Sequence, residues 1–497
     1  SNFDFADGDL LVIPSVTNAT VTTTSGGVVL EAGVTAGSSA YTRLFIEGAS
    51  TSDFNLSQAL VPAVGLIVNG SSISDLGDVW VDELHSSLTS IVGTSGDTIV
   101  GLSPLDGYGS GVAATIDLSA GGDNLVNLKD SAGQGGALTI TGGSGNDDIL
   151  VNDNAAQAGL IKFDMSLGGS NLTRIGAYAA NTSGTLAYTG GAGSDVIGAG
   201  VAFLADSGSG TFDMSLGGDN VLSLGDETAG SSGELNYTGG TGSDVIVASS
   251  HLAESSGKAT FTMTAGGDNV LSVGDGGAIS SGQIAYYGGS GSDLLTFDVD
   301  LAESGGLVTM DMSLGGENTV IMGESPGRSG QINYTAGSGT DTVIVGDNGA
   351  YSGTLIVDAS QGGQNTFIGG QNLAFSATFT YTGGTGRDAL GFGRGVGNSS
   401  TVLVDLGADS TADYVFFEDG DIGSGGTLTI QNFDQSDGDE VVIAGITTGN
   451  VSYTQAGSDV DVSSTGGAGT VTITISDTTV SAITSGHYNS STGLVIA

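Results

Sequence analysis

Two short glycine patterns alternate six times between about residues 115 and 392, and this phasing restricts the chain to a repeat architecture. Pattern A reads Gly-Gly-x-Gly-x-Asp-x-aliphatic. It starts at Gly142, Gly190, Gly239 and Gly288, in a decayed form at Ala336, and again at Gly383. Its aspartates are Asp147, Asp195, Asp244, Asp293, Asp341 and Asp388. A weaker copy ends in Asp97-Thr98-Ile99. Pattern B reads Gly-Gly-x-Asn and ends without exception on Asn124, Asn171, Asn220, Asn269, Asn318 and Asn365. Successive A copies lie 47 to 49 residues apart, B precedes A by 21 or 22, and A precedes the next B by 26 or 27. Half-repeats of about 24 residues suit one coil of a β-solenoid: strand, tight glycine turn, strand, looser return. A 48-residue coil with four strands fits the same spacing, and both sizes stand open.

Strands are read from period-2 alternation. In the segment 211–216, Phe212, Met214 and Leu216 are expected on the inner side, with Asp213 and Ser215 outside. Leu235 and Tyr237 face in, as do Ile149/Val151, Leu295/Phe297 and Leu390/Phe392 after their A turns. Stacking gives two columns: Phe163, Phe212, Phe261, Met310, Val357; and Tyr188, Tyr237, Tyr286, Tyr334, Tyr381. Both are read as core. The fold expected is all-β, a parallel β-solenoid of β-helix or β-roll type with glycine turns that bind Ca²⁺. Residues 1–100 are expected to form an N-terminal β region or cap, with a short helix near Trp80. Residues 101–397 form the repeat solenoid, with six A and six B turns, and 398–497 a distinct C-terminal β region.

Composition then narrows the function. The chain carries 54 acidic and 8 basic side chains, a net charge of 8 − 54 = −46, with no cysteine. Nucleic acid is excluded as a partner, because phosphate binding needs a basic surface. Disulfides, thiol chemistry and cysteine-bound metals are excluded as well. The longest apolar stretch, Ala59 to Val68, contains Pro62 and is half the ~20 residues of a spanning helix, so membrane insertion is not expected. The 90 glycines and the charge would suit a disordered chain, but 38% hydrophobic residues in short alternating runs do not.

The A pattern has the chemistry of a hard-cation site. Its glycines are expected to adopt positive φ and turn carbonyls inward. They are Gly142, Gly143 and Gly145; Gly190, Gly191 and Gly193; Gly239, Gly240 and Gly242; Gly288, Gly289 and Gly291; Gly337 and Gly339; Gly383, Gly384 and Gly386. Carbonyls together with the A aspartates suit Ca²⁺, with 6–8 oxygen ligands. One turn supplies half a site, and the neighbouring turn completes it. Carboxylates stacked ~4.8 Å apart repel by about 1 kcal/mol even in bulk water, so a cation between them is expected. In pattern B, Asp219 and Asp268 at the variable position are auxiliary ligand candidates. The invariant asparagine is read as an amide ladder or a left-handed turn residue. The outward file Asp117, Asp164, Asp213, Asp311 and Asp358 suits extra cations or a solvated face. Asp434, Asp437 and Asp439 suit either metal ligands or an acidic turn. No catalytic residue is expected: His85, His251 and His487 lie in unrelated contexts, and neither HExxH nor GxSxG occurs. The file Thr189, Thr238, Thr335 and Thr382, interrupted by Tyr287, is too irregular for an ice-binding face.

Pattern A resembles the nonapeptide GGxGxDx-aliphatic-x of RTX (hemolysin-type) calcium-binding β-roll proteins, and five of six copies keep its Gly-Gly-x-Gly-x-Asp. The likeness covers about 270 residues. Here one copy appears per repeat rather than in tandem, which implies a wider solenoid than a β-roll. The resemblance implies bound Ca²⁺, a C-terminal type I secretion signal and folding outside a Gram-negative cell. The C-terminal NFDQSDGDEVVIAG looks like the segment that follows such repeats. Wide spacing, acidity and few lysines are similar to RTX-type surface-layer proteins and surface fibres. The function expected is therefore a secreted calcium-binding structural subunit of a self-assembling surface layer or extracellular filament. Its partners would be further copies of itself and a cell-surface polysaccharide. A calcium-dependent surface adhesin and a β-helix enzyme acting on polysaccharide are the alternatives.

Overall fold

The computed structural model describes residues 113–128, 130–418 and 425–444, and elsewhere mainly the strands named below. The chain is an all-β parallel β-solenoid, with no helix among the described residues. It divides into two compact units, Ser1–Asp244 and Val245–Ala497.

In the first unit each coil gives one strand to each of two parallel ladders. The four-residue ladder runs through Ile99–Leu102, Leu125–Leu128, Asp148–Val151, Leu172–Ile175, Val196–Ala199 and Val221–Leu224. The five-residue ladder runs through Ala113–Asp117, Ala137–Thr141, Leu160–Asp164, Thr185–Thr189, Ser209–Asp213 and Glu234–Thr238. One coil takes 23 to 25 residues, as the starts at 125, 148, 172, 196 and 221 show, so the coil is the smaller of the two sizes and A turns stack directly on B turns. Coiling begins before residue 100: Leu11–Val12 and Val79–Val81 head the first ladder and Ser90–Val92 the second. Asn18–Thr24, Gly27–Gly33 and Tyr41–Glu47 form a separate antiparallel sheet, with Phe3–Asp4 parallel beside the last. Trp80, expected near a short helix, lies in a strand. The rest of that segment, His85 and the early A-like copy at Asp97-Thr98 lie outside the described residues.

The second unit repeats the plan. Its four-residue ladder runs from Val245–Ala248 through Val270–Val273, Leu294–Phe297, Thr319–Met322, Thr342–Val345, Thr366–Gly369, Ala389–Phe392 and Tyr414–Phe417 to Glu440–Ile443. Its five-residue ladder runs from Lys258–Thr262 to Thr427–Gln431. Coiling thus continues past 397. The sequence change there alters turn residues but keeps the strand alternation, as in Thr401–Asp405 and Tyr414–Phe417. The architecture changes after Ile443. The antiparallel strands Val451–Ala456, Asp459–Gly466 and Gly469–Ile475 follow, the last lying parallel on Thr427–Gln431. Gly493–Ile496 lies antiparallel on Glu440–Ile443. Both ladder edges are thereby paired, where a bare edge would recruit other strands.

Because A and B coils alternate, the two expected aromatic columns are one. Phe163, Tyr188, Phe212 and Tyr237 are successive partners in the first unit, and Phe261, Tyr286, Met310, Tyr334, Val357 and Tyr381 in the second. All are buried. Rings sit 5.9 Å apart for Phe163–Tyr188 and 6.3 Å for Tyr188–Phe212, within aromatic contact. Leu216 does not join Phe212 and Met214 inside: it is 55% exposed, and Leu167 and Leu314 are exposed likewise, at 53% and 57%. Asp213 Oδ1 accepts from the Ser215 N–H at 3.1 Å, an Asx turn that ends the strand's alternation before Leu216.

The return stretch opposite the glycine turns is regular rather than loose. Positive φ recurs at alternate residues that are not glycine, as at Asn154, Ala156 and Ala158, or His251, Ala253 and Ser255. Their N–H groups reach neighbouring coils on both sides: Asn154 donates forward to Ala177 O and Ala156 backward to Ala132 O, at 2.8 and 2.7 Å.

Candidate functional site

Within each unit the motif residues meet in one file at the turn joining the five-residue strand to the four-residue strand. In the first unit Asn124 donates its backbone N–H and its Nδ2 to Asp147 Oδ1, at 3.1 and 2.6 Å. Asp147 N donates to Asn171 Oδ1 at 3.0 Å. Asn171 bonds Asp195 and Asn220 bonds Asp244 in the same two-donor way. In the second unit the file is Asn269, Asp293, Asn318, Asp341, Asn365 and Asp388, with Nδ2–Oδ1 distances of 2.9, 2.9 and 3.0 Å. Every one of these residues is at least 95% buried. At Asp147, Asp195 and Asp341 the other carboxylate oxygen takes an N–H of its own turn, from Gly143, Gly191 and Gly337 at 2.9, 3.3 and 3.0 Å. The asparagine is invariant because it must accept from one aspartate's N–H and donate to the next carboxylate. It is therefore half of a mixed ladder, neither an amide stack nor a left-handed residue. From Asp147 to Asp388 the aspartates do not adjoin one another: two coils, about 9.6 Å, separate successive ones within each unit, so their repulsion is weaker than at the adjacent-coil spacing expected from sequence.

Burial pushes the carboxyls of Asp147, Asp195, Asp244, Asp293 and Asp341 above their ordinary range, and the asparagine donors oppose that rise. The tyrosine column lies against the same file. Burial first, then the nearby Asp341 carboxylate, push the Tyr334 hydroxyl well up.

The glycines divide their roles differently from expectation. The B pair takes positive φ, 122° at Gly168 and 82° at Gly169, and no A glycine does. The A glycines are required by contact. A Cβ on Gly193 or Gly291 would overlap the carbonyl of Gly169 or Gly267 in the preceding B turn. A Cβ on Gly142 would stand 2.5 Å from Met165 Sδ, and Gly190/Met214 and Gly288/Met312 repeat that contact. In the one copy that begins with alanine, Ala336, the opposing residue is Ala359 instead of methionine.

The remaining candidates are also engaged. Asp219 Oδ1 accepts from Ser243 N at 2.9 Å and Asp268 Oδ1 from Ser292 N at 2.8 Å, the next coil in each case. The outward file Asp117, Asp164, Asp213, Asp311 and Asp358 caps its turns, each accepting from the N–H two residues on. It interleaves with the threonine file, as in Thr141, Asp164, Thr189 and Asp213. Asp434 accepts from Ser436, which holds its carboxyl below the ordinary range, and Asp437 N donates to Asp434 O within that turn. Asp439 ends the buried file.

That end breaks the alternation, and sequence reading missed it for lack of a glycine motif at Asp413. Asp388 N donates to Asp413 Oδ1 at 2.7 Å and Asp413 N to Asp439 Oδ1 at 2.9 Å, so three aspartates follow one another without an asparagine. Burial pushes Asp388 up to about 6. Burial, together with the charges of Asp388, Asp439 and Asp409, pushes Asp413 up to about 8.

As arranged, one amide nitrogen engages Oδ1 of the A-turn carboxylate and the B-turn carbonyls, while Oδ2 of Asp293 and of Asp388 is buried without a hydrogen-bond partner. Asn269 Nδ2 donates to Asp293 Oδ1 at 2.9 Å and lies 3.3 and 3.1 Å from Gly266 O and Gly267 O. It stands where a cation would bridge carboxylate to carbonyls, and N–H donors repel a cation. Among the described residues no group of three or more acidic or histidine side chains is placed to hold a metal. Comparison with known families, curated proteins and solved structures finds no match for this chain.

Proposed function

We propose that the protein is a structural subunit, a stiff β-solenoid that self-associates into an extracellular filament or surface layer. The observation that supports this is the use of the motif residues themselves. Within each unit, from Asn124 to Asp244 and from Asn269 to Asp439, the buried carboxylate or amide joins its coil to the next. Repetition of that kind gives length and rigidity, each coil contacting only its neighbours. The net charge of −46 keeps free subunits apart, and Ca²⁺ enters this reading as a counter-ion to the exposed aspartates of the assembled surface. Outside a Gram-negative cell, millimolar calcium would meet that need. Purified protein, concentrated with and without calcium and imaged by electron microscopy, is expected to form ordered fibres or sheets. Monomers at every concentration and calcium level would rule the proposal out.

A further inference from the structure

The outer faces of the two ladders of the second unit differ in charge. The five-residue strands carry Lys258, Asp311, Asp358 and Asp405 outward, among threonine, asparagine and glutamine and the apolar Tyr287, Leu307, Ile356 and Leu403. The eight four-residue strands from Val245–Ala248 to Tyr414–Phe417 carry no charged side chain at either outward position. Those positions hold Val247, Leu294, Ile321, Ile344, Ile368 and Phe416 with small or neutral residues between them. Val247, Leu294, Ile321 and Ile368 are 41%, 37%, 37% and 46% exposed.

The geometry points to this uncharged face as the surface on which a second copy of the chain docks, sheet against sheet. This rests on the self-association proposed above and names one surface that takes part in it. Three considerations select a second copy. Two chains of charge −46 repel wherever their aspartate files meet, and this face sets no like charges in contact. Strands spaced ~4.8 Å apart and rising ~3.3 Å per residue make the patch about 38 by 13 Å, near 500 Å². Two copies then cover about 1,000 Å², the lower bound of a specific interface. Finally, a second copy brings rows of the same pitch, so the Ile321, Ile344 and Ile368 rows interdigitate as in packed sheets about 10 Å apart. A self-complementary pair of this kind is closed by a twofold axis.

The test uses the full chain and sedimentation over a concentration series. Wild type is expected to associate, more tightly in 0.5 M NaCl as repulsion is screened. The pair Ile321→Lys and Ile368→Lys should weaken association by about tenfold or more, with the strand signal in circular dichroism unchanged. Thr309→Lys, outward on the other ladder, should associate as wild type does. If the lysine pair fails to fold, Ile321→Thr and Ile368→Thr, matching Thr296 in the same file, give the reading instead, with the same weakening expected. Wild-type association in the substituted proteins, or equal loss in Thr309→Lys, overturns this surface while leaving self-association standing. A wild type that stays monomeric in every condition overturns both.

Discussion

At the scale of single residues, the buried file works because aspartate and asparagine are not equivalent. Both offer an oxygen to the N–H of the coil before, but only asparagine also donates to a carboxylate. Where Asp413 takes the asparagine's place, the file contains three adjacent carboxyls, two of them raised to about 6 and about 8. A folded-state pKa above the ordinary 3.8 means that the native state binds more protons than the unfolded chain. The associated stability is therefore complete below about pH 4 and declines as pH rises towards about 8. Melting of the second unit should accordingly occur at lower temperature at pH 8.5 than at pH 5. Asp413→Asn restores alternation, accepting from Asp388 and donating to Asp439. It should raise the pH 8.5 melting temperature by about 2–4 °C for each kcal/mol recovered and flatten the pH dependence. An unchanged or lower value at pH 8.5 would refute the alternation rule. The alanine pair is a second test. Ala359→Met alone should destabilise by about 1–3 kcal/mol through overlap with Ala336, and adding Ala336→Gly should restore stability. A denaturant double-mutant cycle with no coupling would contradict the contact.

At the scale of elements, strands and glycine turns were legible and the coil was not. Alternation placed Phe212, Met214, Leu235 and Tyr237 correctly because inward side chains must be apolar whichever coil they occupy. The interleaving was hidden because A and B differ in sequence while filling the same place in the coil. One brings the carboxylate and the close-packed glycines, the other the amide and the positive-φ glycines. Leu216 was misplaced because the Asx turn at Asp213 precedes it, and an apolar residue gives no sign of a turn. The return arches were unreadable for a related reason. Positive φ is normally marked by glycine, yet here alanine, serine and asparagine adopt it, held by bonds to coils on either side. Ala253, at φ 59° and fully buried, shows the limit on what fits. Ala253→Val should cost about 2 kcal/mol or more, because a β-branched side chain is strained at that φ and overfills the site. Ala253→Gly should stay within about 1 kcal/mol of wild type in the same denaturant unfolding assay, since relief of strain offsets lost burial.

At the scale of the whole molecule, the sequence pointed to metal through its charge and its glycine–aspartate motif. The fold gives Oδ1 of each buried carboxylate of that motif hydrogen bonds from an asparagine. The amide nitrogen of each asparagine stands between the carboxylate of one coil and the glycine carbonyls of its own. No signal within a single motif reveals this; it requires knowing that the asparagine of pattern B stacks on the aspartate of pattern A. In the proposed function cations belong to the exposed acidity, where they would act on assembly rather than on coil closure. Far-ultraviolet circular dichroism through a thermal melt, in excess EGTA and in millimolar Ca²⁺, separates the two directly. The hydrogen-bonded ladder predicts full strand signal and a cooperative melt without calcium. Loss of the strand signal in EGTA, with its return as about one ion per A turn binds, would contradict it.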